Sequence, residues 1–147
     1  MSVTKDKITC HVLDTTAGRP AKGIRVRLEG GAAGLGSPSL KTFESLTDDD
    51  GRVRAWLPYS SDHASGEVPV YTLDDVLAEA EATAAPGDSA AKKRPTRWTL
   101  RFDTGAYFGE GNTFFPEVTV VFGVLPGQHY HVPLLLSPYS YTTYRGS

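Results

Sequence analysis

Imidazole side chains are the first candidates for chemistry in this chain. Among its four histidines, His11 lies in an alternating apolar and polar segment, and His129 and His131 stand two residues apart in another. Residues two apart on a strand share a face, so this pair could bind zinc if a third ligand such as His11 joined it. A neutral imidazole, with an ordinary pKa of ~6.5, could instead take a proton from water. His63 falls in a polar stretch and is expected to be an exposed loop residue.

One arginine and the single cysteine have positions that the local pattern defines. Arg52 follows the turn sequence Asp-Asp-Asp-Gly at 48–51 and therefore stands at the entrance of a strand. Cys10 shares a strand face with Ile8 and Val12, so we expect a buried thiol rather than a nucleophile. The sequence has no Gly-x-Ser-x-Gly elbow, P-loop or dinucleotide fingerprint, which removes the common hydrolase and nucleotide-binding routes.

Short strands must position these side chains. Runs of β-branched and aromatic residues separated by glycine and proline turns predict an all-β domain built as a two-sheet sandwich. Leu125–Gln128 is a predicted turn, and Asp103 or Thr104 is a predicted cap of one short helix. The eight predicted strands are 8–13, 24–29, 40–46, 52–57, 98–102, 117–124, 129–136 and 139–144.

The composition changes between the fourth and fifth predicted strands. Residues 60–97 are polar, but Leu73, Val76 and Leu77 recur at helical spacing behind a capping box at 72–75. The sequence therefore predicts a single domain over 1–147, with a helix-containing insertion at about 60–97.

Composition and charge limit the partners. With 147 residues, 39% hydrophobic and 22% charged, the chain is an ordinary globular protein, and a net charge of −2 gives no attraction for nucleic acid or an acidic membrane surface. One cysteine excludes a disulfide framework. Without a secretory segment or a Ser-Lys-Leu ending, we expect a cytoplasmic protein, or a peroxisomal one if it is imported with a partner.

Four blocks of sequence carry a resemblance to a known family. They are residues 8–21 (ITCHVLDTTAGRPA), 47–52 (TDDDGR), 129–138 (HYHVPLLLSP) and 144–147 (YRGS). In this order they resemble the 5-hydroxyisourate hydrolases, also called transthyretin-related proteins. The resemblance implies a transthyretin-like eight-stranded β-sandwich with one short helix. It also implies a homotetramer, a dimer of dimers, with active sites at the interface between dimers.

The resemblance also implies which residues form the site. It assigns His11, Arg52, His131 and Ser147 as catalytic, and Arg52, Tyr144 and Arg145 as substrate-binding, with no metal or cofactor. Ser147 would supply a hydroxyl and a terminal carboxylate that orient the site. The resemblance assigns no role to His129.

The implied reaction adds water to 5-hydroxyisourate and opens its ring amide, giving 2-oxo-4-hydroxy-4-carboxy-5-ureidoimidazoline in urate degradation. Either His131 or His11 could be the general base. Two alternatives remain: a transthyretin-type carrier without catalysis, and a zinc-dependent hydrolase that uses His11, His129 and His131.

Overall fold

Two five-stranded sheets form the fold of the computed structural model. It describes residues 6–30, 41–59, 73, 77, 96–125 and 127–146. The first sheet contains β1 (Ile8–Asp14), β2 (Arg19–Pro20), β5 (Arg52–Val53), β9 (Tyr130–Ser137) and β10 (Ser140–Thr143). The second contains β3 (Arg25–Gly30), β4 (Lys41–Leu46), β6 (Leu57–Tyr59), β7 (Thr96–Phe102) and β8 (Val118–Val124). Their orders are β10-β9-β1-β2, with β5 also on β1, and β6-β4-β3-β7-β8.

Alternating burial explains why the two sheets pack together. In β1, Ile8, Cys10 and Val12 are buried while the residues between them are half-buried on the other face. In β7, Trp98, Leu100 and Phe102 are fully buried in the same core. Period-two alternation places one apolar face of each strand inward. The predicted all-β sandwich and the predicted buried thiol of Cys10 are confirmed, and burial raises the pKa of that thiol to about 12.

The predicted short helix is also present. Helix α1 spans Thr104–Phe108, and the Asp103 side chain caps it by accepting a hydrogen bond from the Ala106 amide at 3.2 Å. A short 3₁₀ helix, Glu110–Asn112, follows.

The fourth predicted strand, 52–57, is wrong as a single strand. The chain pairs with β1 at Arg52 and Val53, then crosses to the second sheet and pairs with β4 from Leu57 onward. Val53 and Trp56 are buried, whereas Leu57 is 73% exposed, so Val53, Ala55 and Leu57 do not form one inward face. The crossing is fixed by the Trp56 ring, whose Nε1 donates to the Ile8 carbonyl at 2.8 Å.

The structure describes only four residues of the predicted insertion at 60–97: Leu73, Leu77, Thr96 and Arg97. Leu73 and Leu77 of the predicted insertion are helical and belong to the core. β7 begins at Thr96, so the last two residues of the predicted insertion lie in a strand. The rest of 60–97, including His63, the glycine-rich loop after Gly30 and Ser147 lie outside the described residues.

Candidate active site

Three adjacent strands bring the candidate side chains together. β1 pairs with β5 antiparallel, with His11 opposite Arg52, and with β9 in parallel, with Thr9 opposite His131. All four residues are half-buried on the face of the first sheet that points away from the core. Residues far apart in sequence thus meet at one place.

The turn before Arg52 is rigidly held. The Asp48 carboxylate accepts hydrogen bonds from the Asp50 amide at 2.9 Å and the Arg52 amide at 3.0 Å, and a salt bridge from Arg54 at 2.7 Å. Gly51 has a φ of +73°, a conformation that an L residue adopts at a cost. Its carbonyl accepts from the Val12 amide at 2.7 Å, which ties the turn to β1. Arg52 therefore leaves the turn in a fixed direction.

His11 is bound to the same turn. Its Nε2 lies 2.9 Å from the Asp50 carbonyl oxygen, which can only accept, so this nitrogen carries a proton. Burial, followed by the charge of Arg52, lowers the pKa of His11 below its usual 6.5, although Asp48 and the Asp50 carbonyl oppose the shift. The neutral ring with its proton on Nε2 is therefore the favoured state.

His131 lies beside His11, and its own surroundings are polar. The two ring centroids are 6.3 Å apart. His131 Nδ1 is 2.8 Å from the Thr9 hydroxyl oxygen. The carboxyl-terminal segment reaches the same residue, because the Gly146 amide donates to the His131 carbonyl at 2.8 Å.

A polar cavity opens at this face. Its volume is about 410 Å³, large enough for a small purine derivative. Arg52 and His131 both line it, and His11 does not. The full lining is Asp6, Lys7, Thr9, Arg52, His129, Tyr130 and His131.

A cavity of the same volume lies on the outer face of the second sheet, but it suits chemistry less well. Its lining includes Arg25 and Arg101 and no histidine. Arg25 pairs with Glu44 at 2.9 Å, and Arg101 pairs with Glu29 at 3.2 Å and Glu117 at 3.3 Å. Arg25 and Arg101 are thus engaged in ion pairs with carboxylates, and no imidazole lines this cavity.

Tyr144 and Arg145 take a different position from Arg52. They line a cavity of about 270 Å³ between β8, β9 and β10, which His131 also lines. The Arg145 guanidinium lies 5.1 Å from the centroid of the Tyr130 ring. His131 is therefore common to both cavities, whereas the predicted substrate-binding residues are divided between them.

The possible zinc ligands are not gathered in one place. His129 is exposed at the cavity that His131 lines. Within the part of the chain that the structure describes, no three side chains of His, Cys, Asp or Glu are arranged to hold a metal ion. The described residues also contain no helix with the length and apolar character of a membrane span.

Four residues of the cavity wall are not among the predicted site residues: Asp6, Lys7, Thr9 and Tyr130. The signal for Thr9 was present, since it stands two residues before His11 and must share its face. Nothing marked Lys7, which joins the cavity because its carbonyl accepts from the Tyr130 amide at 2.6 Å at the start of β9.

The sequence is similar to those of known proteins over nearly its whole length. A sequence profile of the HIUase/Transthyretin family matches residues 8–146. The 5-hydroxyisourate hydrolase of Salmonella typhimurium is 38% identical over 143 residues, which are 95% of this chain and 80% of that protein. The mouse 5-hydroxyisourate hydrolase is 34% identical over 153 residues and the whole of both chains.

A solved structure supports the fold. The Klebsiella pneumoniae 5-hydroxyisourate hydrolase superposes with a TM-score of 0.56 at 24% identity, covering 95% of this chain and 98% of that one. The profile match spans all four sequence blocks apart from Ser147. The chain belongs to the HIUase/Transthyretin family.

Proposed function

We propose that this protein hydrolyses 5-hydroxyisourate to 2-oxo-4-hydroxy-4-carboxy-5-ureidoimidazoline, a step of urate degradation. The observation that carries the proposal is the shared cavity of Arg52 and His131, a fixed cation and an imidazole on the wall of one polar space. The two relatives named as 5-hydroxyisourate hydrolases, similar to this chain over 95% or more of its length, support the choice of substrate.

His131 is the general base in this mechanism. A water molecule attacks the ring amide carbon while His131 accepts its proton, and the carbonyl electron pair moves onto oxygen. Arg52 stabilises that oxyanion with its guanidinium donors. The intermediate collapses with cleavage of the carbon–nitrogen bond, and His131 returns the proton to the leaving ring nitrogen. One water is consumed and no electrons leave the system, so the reaction needs no redox cofactor, and in this scheme His131 and Arg52 supply the base and the cation that stabilises the oxyanion.

His11 has a supporting role in this scheme. Its Nε2 is committed to the Asp50 carbonyl, and it is absent from the cavity wall. A neutral His11 avoids repelling Arg52 and helps to fix the turn from which Arg52 projects. These contacts support His131 rather than His11 as the general base.

The carboxyl-terminal residues complete the site in an assembly. In the described part of the chain, β10 and β8 are edge strands of their sheets, so each is suited to pair with a second copy. We propose a homotetramer, a dimer of dimers, in which Tyr144, Arg145 and Ser147 reach substrate at the interface between dimers. Light scattering on the purified protein tests the assembly, and a monomer at assay concentration contradicts it.

The carrier alternative has less support. A transthyretin-type carrier of an apolar ligand requires an apolar binding surface. Lys7, Thr9, Arg52 and His131 line the cavity of about 410 Å³, and the more apolar cavity at Tyr144 and Arg145 is smaller, about 270 Å³. The lining of the larger cavity suits an amide-rich ring that accepts hydrogen bonds.

The decisive assay generates 5-hydroxyisourate from urate with urate oxidase and follows its ultraviolet decay. We expect the purified protein to accelerate the decay, and His131→Gln to lose ~10²- to 10⁴-fold in kcat. His11→Gln is the matched control and should lose less. Decay no faster than in buffer refutes the function, and a greater loss in His11→Gln refutes the choice of base.

The assay can also be extended to the tail and to metal dependence. Deleting Ser147 should abolish activity while the thermal unfolding curve is unchanged, and retained activity refutes its role. Loss of activity on treatment with a chelator would favour the zinc-dependent mechanism instead.

A further inference from the structure

The Thr9 hydroxyl lies between a histidine ring and a backbone carbonyl. Its oxygen is 2.8 Å from His131 Nδ1 and 3.4 Å from the Tyr130 carbonyl oxygen. The position follows from the parallel pairing of β1 and β9, which sets Thr9 opposite His131. Thr9 also lines the cavity that Arg52 and His131 share.

A hydroxyl has one proton, so only one arrangement satisfies both contacts. The Tyr130 carbonyl can only accept, and the contact to it requires the Thr9 proton. The Thr9 oxygen then accepts from a protonated Nδ1 of His131. In the reverse arrangement the hydroxyl donates to Nδ1, the proton of the neutral ring moves to Nε2, and the Tyr130 contact is lost. The first arrangement keeps both contacts of the Thr9 hydroxyl, and the second keeps only the contact to His131.

We propose that Thr9 is a positioning residue that holds neutral His131 as the Nδ1–H tautomer and so leaves the Nε2 lone pair to act as the base. This inference rests on the proposed function. His11 is held in the opposite tautomer, because its Nε2 donates to the Asp50 carbonyl. The two neighbouring rings are thus distinguished by the partners that the backbone gives them.

The arrangement also serves the charged state of the ring. When Nε2 of His131 takes a proton from the attacking water, Nδ1 keeps its own proton and continues to donate to Thr9. The hydroxyl stays oriented by the Tyr130 carbonyl, so its oxygen faces the imidazolium without rotating. No proton passes through Thr9, which distinguishes positioning from catalysis.

The test removes the hydroxyl and keeps the shape. Thr9→Val deletes the hydrogen bonds with little change in volume, and Thr9→Ser retains the hydroxyl. Thr99→Val is the matched control, since Thr99 is a half-buried strand residue on the second sheet. Nitrogen-15 spectra of the histidine rings at pH 8 report which ring nitrogen is protonated, with His131→Gln used to assign the signal.

We expect wild type and Thr9→Ser to show His131 protonated on Nδ1. Thr9→Val should show a mixture in which the Nε2–H form gains, with kcat about fivefold to tenfold lower, the worth of one neutral hydrogen bond, and KM nearly unchanged. Thr99→Val should match wild type in both measurements.

Two results overturn the inference: a wild-type His131 protonated on Nε2, or a Thr9→Val variant with the tautomer and kcat of wild type. A wild-type protein without hydrolytic activity overturns the proposed function instead, and in that case the ring spectrum still decides the tautomer.

Discussion

Replacing Gly146 by alanine places a methyl group against the proposed base. A Cβ at this position would lie 2.7 Å from His131 Cδ2 and 3.1 Å from Cγ of Pro133. Ordinary packing contacts begin near 3.4 Å. Gly146 has no positive φ, so the substitution acts through these close contacts, which also include the His131 carbonyl oxygen at 3.0 Å.

The size of the effect follows from these distances. To restore packing, the His131 ring or the Gly146 backbone must move by about 0.7 Å, since the contact at 2.7 Å must open to about 3.4 Å. Cδ2 is bonded to Nε2, so a ring shift moves the atom that accepts the proton. A displacement of ~1 Å can cost ~10²-fold in rate, and we therefore expect kcat to fall by about tenfold to a hundredfold.

The assay is the ultraviolet decay of freshly generated 5-hydroxyisourate, with kcat and KM measured separately. Gly111→Ala is the control, because a Cβ there meets nothing within 4 Å and Gly111 also lacks a positive φ. Both variants should unfold at the wild-type temperature. A Gly146→Ala enzyme with kcat within twofold of Gly111→Ala would refute the geometry argued for His131.

Three further predictions concern the turn and the residues it holds. Arg52→Gln should lower kcat/KM by ~10²- to 10³-fold. Arg52→Lys should recover only part of that activity, because the ammonium group is a point charge without the guanidinium fork. Equal activity of Arg52→Lys and wild type would contradict the oxyanion role. Gly51→Ala should lower the free energy of unfolding, measured by chemical denaturation, by at least ~1 kcal/mol more than Gly23→Ala does. Both glycines have positive φ, but a Cβ at 51 would meet backbone atoms, the nearest being the Val12 carbonyl oxygen, and a Cβ at 23 would meet nothing within 4 Å. Because the pKa of His11 is lowered in the folded state, the unfolded chain binds more protons below pH 6.5. Stability should therefore fall as pH drops through that window, and less steeply in His11→Gln; parallel curves would contradict the lowered pKa.

Burial patterns made much of the fold predictable from sequence. Strands β1, β3 and β7 alternate apolar and polar residues, and each buries the predicted side. The cap at Asp103 is equally local, since its carboxylate needs only the amide three residues later. Such features depend on neighbours in the chain, and a sequence displays them directly.

The crossing after β5 was not predictable in the same way. Val53, Ala55 and Leu57 fit one alternating strand, but the chain changes sheets between Val53 and Leu57. What decides this is a long-range contact, the Trp56 indole bonded to the Ile8 carbonyl 48 residues away. Local alternation holds no information about a partner at that separation.

The contact between Thr9 and His131 was still harder to predict from the sequence, because it depends on the register of two strands. Alternation fixes which face a residue occupies, and a slip of two residues between β1 and β9 keeps every side chain on its own face. His11 opposite His131 would satisfy the burial pattern as well as Thr9 opposite His131 does. The observed register is held by contacts outside that pattern, including the Tyr130 amide on the Lys7 carbonyl. The strand face of the candidate base can therefore be predicted from sequence, but the hydroxyl that sets its tautomer depends on a register that only the assembled sheet specifies.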